Sequence, residues 1–377
     1  LFSITILTVQ QASTQYTPRV IRSFTRDRPS QIVLGTYLAT FLYCILVLRQ
    51  VRSQTESDGF TQERFVPVLS ISFAIVLTIL CLGMLVYFIH HIATLFQAST
   101  VIERVHHDLL RGIQTLYPDE IGGDMGAPDD TLERFRERYV HSRSVAIRAR
   151  ESGFLRTIDD AAIERALDGA GWIIVHPRVG TYISNRQLLA EVDGARATDE
   201  ALHEIRSAFV VDEQRTLEQD NLFGIRQLVD IALKALSPSI HDPTTAEHAV
   251  SCLGDVLICL GDRSFPEQTR VVPEAAGPGE EGVAIWTNRP AFRDYVDVSF
   301  GQIRRVAREN VHVTAHMLNV LAEVGRHVSG DRAEAIRAEV NRVIRQIDQE
   351  PFDPDDRDML RAATSDALRA IDAPVYR

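Results

Sequence analysis

Residues 65–100, FVPVLSISFAIVLTILCLGMLVYFIHHIATLFQAST, constrain this chain more than any other stretch. No charged residue occurs between residues 65 and 89, and a helix of about 20 apolar residues is long enough to cross the hydrocarbon of a bilayer. A soluble fold would have to bury such a helix on every side, so 66–89 reads as a membrane span. Beyond His90 and His91 no Gly or Pro interrupts the pattern, which predicts one continuous helix leaving the bilayer and running on to about residue 108.

Upstream, the chain opens inside the apolar run LFSITILTV without a basic lead-in. Residues 1–16 are therefore expected to be the exit half of a span, with further sequence and further spans before them. Ser3, Gln10 and Thr14 fall on one helical face with Gln11 beside them. Such a polar stripe serves helix–helix hydrogen bonding or, if several copies surround an axis, lines a water-filled path; in the second case Ser3, Gln10, Gln11 and Thr14 are the pore-lining candidates. Arg19, Arg22, Arg26 and Arg28 follow, opposed only by Asp27. Short arginine-rich loops stay on the cytoplasmic side, so these four are the candidate charges of a cytoplasmic mouth. The next span, 32–48, is uncharged and carries Gly35 and Ala39 at a spacing that permits close helix packing. Residues 49–64 mix acids with arginines and are expected outside, which returns everything beyond residue 100 to the cytoplasm.

Charge divides the same way. Residues 1–100 hold seven Arg against four acids, a net of +3, so the overall −11 leaves −14 for the remainder. An acidic soluble section argues against nucleic acid as a partner, since that binding rests on neutralised phosphates. Lys234 is the single lysine. Cys44 and Cys81 fall in the apolar spans; Cys252 and Cys259 are seven residues apart on a predicted helix, about 10 Å along its axis, beyond the reach of a disulfide. They read as buried structural thiols, and no Cys-x-x-Cys or matched histidine pair signals zinc. His90, His91, His106 and His107 read as interfacial polar anchors.

The soluble part begins with a loop and connecting helix over 109–142, the loop covering 109–130 and the helix starting near Thr131. Residues 143–195 alternate like strands around a Glu151–Ser152–Gly153 turn, a short amphipathic helix and a Gly180–Thr181–Tyr182 turn. That order resembles the barrel-sandwich modules of lipoyl and biotinyl carriers; with no lysine in the module, the resemblance implies a structural or docking version and not a swinging arm. Residues 198–377 read as mainly helical. In this stretch Asp242 before Pro243 has the chemistry of an N-cap before an N1 proline, 264–282 is a Pro/Gly/acidic linker, VAIWTN is strand-like, 331–348 with its alternating Arg and Glu is a solvated helix, and the acidic run 351–358 is a loop and helix start. The predicted fold class is thus an α-helical transmembrane section followed by a mixed α/β, mostly helical soluble domain containing a small β-rich, barrel-sandwich-like module.

FSITILTVQQASTQYTPRVIRSFTRDR, IVLGTYLATFLYCILVLR, YFIHHIA and above all FGIRQLVDIALKALSPSIHDPTTA carry a resemblance over nearly the whole chain. They resemble bacterial membrane proteins of domain-of-unknown-function family 2254. The resemblance implies a bacterial inner-membrane protein with an N-terminal group of spans and a soluble C-terminal region, and it brings no activity.

No nucleophile elbow, metalloprotease helix, phosphate-binding loop or dinucleotide fingerprint occurs, so no catalytic residue, cofactor or metal ligand is assigned and the chain is not expected to be an enzyme. Ser237, Ser239, His241 and Asp242, with His248 nearby, form the candidate functional loop, although capping alone accounts for Asp242. The expected function is a homo-oligomeric channel-like or transport-related assembly whose cytoplasmic domain forms a vestibule or gate, in contact with the lipid bilayer. The alternative is a non-conducting membrane-tethered scaffold or regulator that docks a protein partner through that domain.

Overall fold

The computed structural model describes residues 28–50, 56–57, 60–61, 68–95, 97–117, 131–168, 170–272 and 282–373. The chain divides into two compact units, residues 1–101 and 102–377.

In the first unit, α1 (Arg28–Gln50) and α2 (Val68–Leu95) pack side by side, and two short antiparallel strands, β1 (Glu56–Ser57) and β2 (Phe60–Thr61), lie between them in the chain. Both helices are long and apolar enough to cross a membrane. Val33 and Phe88 are buried at their contact, with Tyr37 and Met84 against them. Three polar groups tie the pair: Tyr37 Oη donates to the Cys81 carbonyl at 2.6 Å, Tyr43 Oη to the Ser70 carbonyl at 3.3 Å, and Cys81 Sγ to Thr40 Oγ1 at 3.3 Å. Gly35 and Ala39 are not at this contact; both are exposed, and a Cβ on Gly35 would meet nothing within 4 Å. The contact needs side-chain hydroxyls and rings that neither residue supplies. Around the rest of the pair Leu38, Phe41, Leu42, Leu69, Ile79 and Leu82 stand exposed, a surface that suits lipid and would be costly in water.

The single helix expected from 66 to 108 is two. α2 ends at Leu95 and α3 begins at Ala98, running to Leu116. The pattern changes there from apolar all round to apolar on one face, with Ile102, Leu109 and Ile113 fully buried. The same burial corrects the loop expected from residue 109: the helix continues through it to Leu116.

The second unit joins a sheet region to a helical bundle. α4 (Leu132–Tyr139) starts at an N-cap made by Thr131. Strands β3 (Ser144–Arg148), β4 (Gly153–Ile158), β5 (Gly171–Val175), β6 (Tyr182–Ile183), β7 (Leu188–Asp193) and β8 (Phe209–Asp212) alternate with α5 (Asp160–Ala166) and α6 (Asp199–Ser207). After the paired helices α7 (Asn221–Ala235) and α8 (Pro243–Gly261) come β9 (Thr269–Val272) and β10 (Val283–Thr287), then α9 (Phe292–Val306), α10 (Val311–His327), α11 (Gly330–Gln349) and α12 (Pro354–Asp372).

These strands close no barrel. They form a five-stranded mixed sheet, β3-β7-β5-β10-β9, and a separate three-stranded antiparallel sheet, β6-β4-β8. Strand β5 explains why 143–195 does not close on itself. Its run Trp172–Ile173–Ile174–Val175 is buried on both faces. Ile173 and Val175 join a core shared with α5, α6 and the smaller sheet, while Trp172 and Ile174 pack with Ala284, Trp286 and Phe135 of α4. A strand apolar on both faces sits inside a sheet, not at its edge, and its second neighbour is β10, paired in parallel from Val283 opposite Gly171 to Thr287 opposite Val175. β9, inside the expected linker, completes the edge beside β10.

In the bundle α7 packs on α8 and α9, α8 on α10, α9 on α11, and α12 on α10 and α11. α11 is not the solvated helix its charges suggest. Ala335, Ile336, Val340, Val343 and Ile347 form a buried face at helical spacing, and Glu339 is buried with them.

Candidate functional site

A cavity of about 260 Å³ lies within the second unit where the sheet region meets the bundle. Its wall takes Leu116 and Tyr117 from the end of α3, Arg178 and Val179 from the turn after β5, and Asp220 and Asn221 from the start of α7. Asn288, Arg289 and Pro290 beyond β10 and Tyr295 of α9 complete it.

Helix capping places its acidic group. Asp220 is the N-cap of α7, and its Oδ1 accepts from the Phe223 amide at 3.1 Å. Oδ2 receives Nε of Arg215 at 2.8 Å and Nη2 at 2.7 Å. The carboxyl is only 4 % exposed; burial pushes its pKa up, and Arg215 with the Phe223 amide offsets part of that rise. Gly180 makes the room. It has φ +84°, and a Cβ there would stand 2.0 Å from Asp220 Oδ2.

The two remaining cations are neutralised in place. Arg178 donates through Nε to Asn288 Oδ1 at 2.7 Å and pairs through Nη1 with Asp294 at 3.0 Å. Arg289 donates through Nε to Thr287 Oγ1 at 2.9 Å and pairs with Asp160 at 3.1 Å. Tyr117 and Tyr295 share a hydrogen bond of 2.6 Å between their hydroxyls. Burial raises both phenol pKa values, that of Tyr295 well above the ordinary range, so both hydroxyls stay protonated at neutral pH.

Against this satisfied background Asn221 stands out. It is 2 % exposed, and neither its Oδ1 nor its Nδ2 has a hydrogen-bond partner among the described residues. A buried amide left unpaired costs about 1–3 kcal/mol. Gly112 on α3 accommodates it, since a Cβ there would lie 2.8 Å from Asn221 Oδ1. The cavity therefore has a mostly apolar wall with its charges balanced in ion pairs, and Asn221 lies in that wall with its amide buried and Oδ1 turned towards Gly112 of α3.

Ser3, Gln10, Gln11, Thr14, Arg19, Arg22 and Arg26 lie outside the described residues; Arg28 is the first residue of α1. The loop at 237–242 is the turn between α7 and α8, and its polar groups are used locally. Ser237 Oγ donates to the Lys234 carbonyl at 2.6 Å and lies 3.3 Å from Ser239 Oγ. Asp242 caps α8, accepting from the Thr245 amide at 3.1 Å and from its hydroxyl at 2.6 Å. His241 takes a left-handed backbone, φ +49°. His248 is engaged elsewhere, with Glu103 at 3.1 Å.

That last pair belongs to a cluster the sequence does not announce. Ligand-type atoms of Glu103, His248 and Cys252 lie within 4.8 Å of one another, and His106 Nε2 is 3.4 Å from Asp255. All four cysteines are free thiols. Burial, with Glu103 and Asp255 nearby, pushes the Cys252 thiol up to about 12, so it holds its proton at neutral pH and a metal would have to displace it. Of the other histidines, His91 stacks on Tyr87 within α2.

The described chain is thus a pair of helices long and apolar enough to cross a membrane, followed by a sheet-and-bundle unit. The chain belongs to the family described as predicted membrane protein DUF2254, whose model matches residues 1–323. Uncharacterized proteins of Mycobacterium bovis and Mycobacterium tuberculosis are 31% identical to it over 383 residues, an alignment covering 99% of this chain and 70% of each relative. No solved structure matches the chain.

Proposed function

We propose that this protein is a membrane-tethered binding protein of regulatory type, which takes a small, uncharged, largely apolar molecule into the cavity of its second unit and holds it by a hydrogen-bonding group paired with Asn221. The observation that carries this reading is Asn221, a residue of the cavity wall whose buried amide has no hydrogen-bond partner among the described residues; a turn of its side chain away from Gly112 brings the amide to a ligand in the cavity. Charge balance sets the ligand class. Arg178, Arg215 and Arg289 each have a carboxylate partner, so an ionic ligand would have to break a pair to enter. An amide, lactam or alcohol would complete Asn221 without doing so. Binding is favoured over catalysis because the phenols are held protonated and Asp220 is committed to Arg215 and to its helix cap.

The arginine-rich stretch of sequence at 19–28 favours a cytoplasmic position for the second unit at the bacterial inner membrane. A conducting homo-oligomer would draw on Ser3, Gln10, Gln11 and Thr14, outside the described residues, while α1 and α2 expose apolar side chains to their surroundings. That exposure favours an anchor over a conduit.

A thermal-unfolding screen of the detergent-solubilised full chain against small amides, lactams and alcohols tests the reading. Compounds of this class should raise the Tm of the wild type and leave Asn221→Leu unmoved. Stabilisation confined to charged compounds, or equal in the two proteins, would refute it.

A further inference from the structure

A second site lies on the bundle, independent of the Asn221 cavity. Arg304 and Arg305 of α9, Arg308 just beyond it, and Arg342 and Arg345 of α11 line an open cleft of about 480 Å³ with Glu350 at its end. Gathering five guanidinium groups is unfavourable without anions among them, and the fold supplies some. Glu339, fully buried, accepts from Arg304 Nε at 2.9 Å and from Arg342 Nη1 at 2.6 Å. Gln346 fixes Arg304 further, taking Nη1 at 3.3 Å and donating Nε2 to the Arg304 carbonyl at 3.0 Å. Arg342 also pairs with Asp297, and Arg308 with Glu309 at 3.2 Å and Glu350 at 3.8 Å.

The balance is incomplete. Asp297, Glu309, Glu339 and Glu350 are four acids against five arginines, and Arg305 and Arg345 have no ion-pair partner among the described residues. Arg304 Nη2 and the Nε and Nη2 of Arg342 likewise make no hydrogen bond among the described residues. This surplus sits in a section of net charge −14 (−11 overall less +3 for residues 1–100), so general basicity does not explain it. Planar guanidinium forks held in place by a buried carboxylate suit phosphate oxygens, which they bind in bidentate fashion.

We propose that this cleft binds an oligophosphate group, with Arg305 and Arg345 as its principal contacts on a floor built by Arg304, Arg342 and Glu339. The same chemistry is offered by a soluble phosphorylated molecule and by an anionic lipid headgroup.

The test uses the full chain in phosphatidylcholine nanodiscs with tripolyphosphate as probe, followed by calorimetry. Wild type should bind, and Arg305→Ala/Arg345→Ala should bind about tenfold or more weakly, the loss expected when two charge-assisted contacts disappear. Arg111→Ala/Arg361→Ala, which removes the same charge from exposed positions elsewhere in the unit, should bind as wild type does. Arg305→Lys/Arg345→Lys, which keeps the charge and loses the fork, should fall between. Repeating the titration in phosphatidylglycerol nanodiscs separates the sources. A headgroup in the cleft weakens the wild-type affinity and spares the double alanine variant; unchanged affinity in both identifies a free anion. Absence of tripolyphosphate binding by wild type, or equal weakening by the two double alanine variants, would overturn the proposal.

Discussion

Gly180 and Asp220 compete for one volume: the position a Cβ would take on Gly180 is 2.0 Å from Asp220 Oδ2 and 2.8 Å from Arg215 Nη2. The turn after β5 can therefore approach α7 only because it lacks a side chain there, and its φ of +84° adds a second reason for glycine. The wall of the cavity and the N-terminus of α7 are built together.

Gly180→Ala should consequently disturb both. Backbone strain and loss of the Asp220 cap together should destabilise the second unit by about 2–4 kcal/mol. Chemical denaturation of the full chain, followed by the fluorescence of Trp172 and Trp286, measures this; an unchanged midpoint would mean that the turn can move away from α7 at little cost.

Asn221→Leu should act in the opposite direction on the ligand-free protein. It removes two unpaired polar atoms from a buried position, a change that is neutral or stabilising by about 1–3 kcal/mol, so the variant should unfold at no lower Tm than wild type. A clear drop in Tm would show that the amide has a structural partner.

Glu339→Gln should be costly, because it leaves Arg304 and Arg342 facing each other without the carboxylate between them. Breaking a buried ion pair on one side costs about 3–5 kcal/mol, and the partial exposure of Arg342 lowers the expectation to about 2–4 kcal/mol. Removing Glu334, whose contact with Arg337 is an exposed i,i+3 pair, should cost less than about 1 kcal/mol. Parallel denaturation curves check the contrast.

Cys252 gives a pH signature. Its folded pKa of about 12 lies above the ordinary thiol value of 9.0, so below the ordinary value both states hold the proton and the group is neutral to stability. As pH rises past it the unfolded chain loses the proton first, and stability falls with slope set by the difference in bound protons. The loss should develop from about pH 9 towards about pH 12 and be smaller in Cys252→Val. At neutral pH the thiol should resist alkylation until the chain is unfolded; rapid modification of the native protein would contradict its burial.

Signals carried by neighbouring residues were legible in the sequence. The length and uniform polarity of the runs around 32–48 and 66–89 specify α1 and α2, and Asp242 before Pro243 marks the start of α8. The WIIV run announces β5, although only the fold shows that, with β7 along one edge, its other edge is closed by β10, more than a hundred residues later. The cavity was not legible for the same reason. Gly180 with Asp220 and Gly112 with Asn221 are pairs brought together by tertiary packing, and each member alone reads as an ordinary turn, cap or helix residue. Glu339 was hidden by its surroundings: the alternating charges of 331–348 obscure the apolar face at 335, 336, 340, 343 and 347 on which this carboxylate lies.

Native mass spectrometry of the full chain, released gently from its own membranes, reads directly whether the cavity holds a ligand. The wild type should carry a bound small molecule whose mass adds to that of the polypeptide, and Asn221→Leu prepared in the same way should lack it. A wild-type spectrum identical to that of the variant, with neither carrying such a molecule, would contradict the assignment of the cavity as a ligand site.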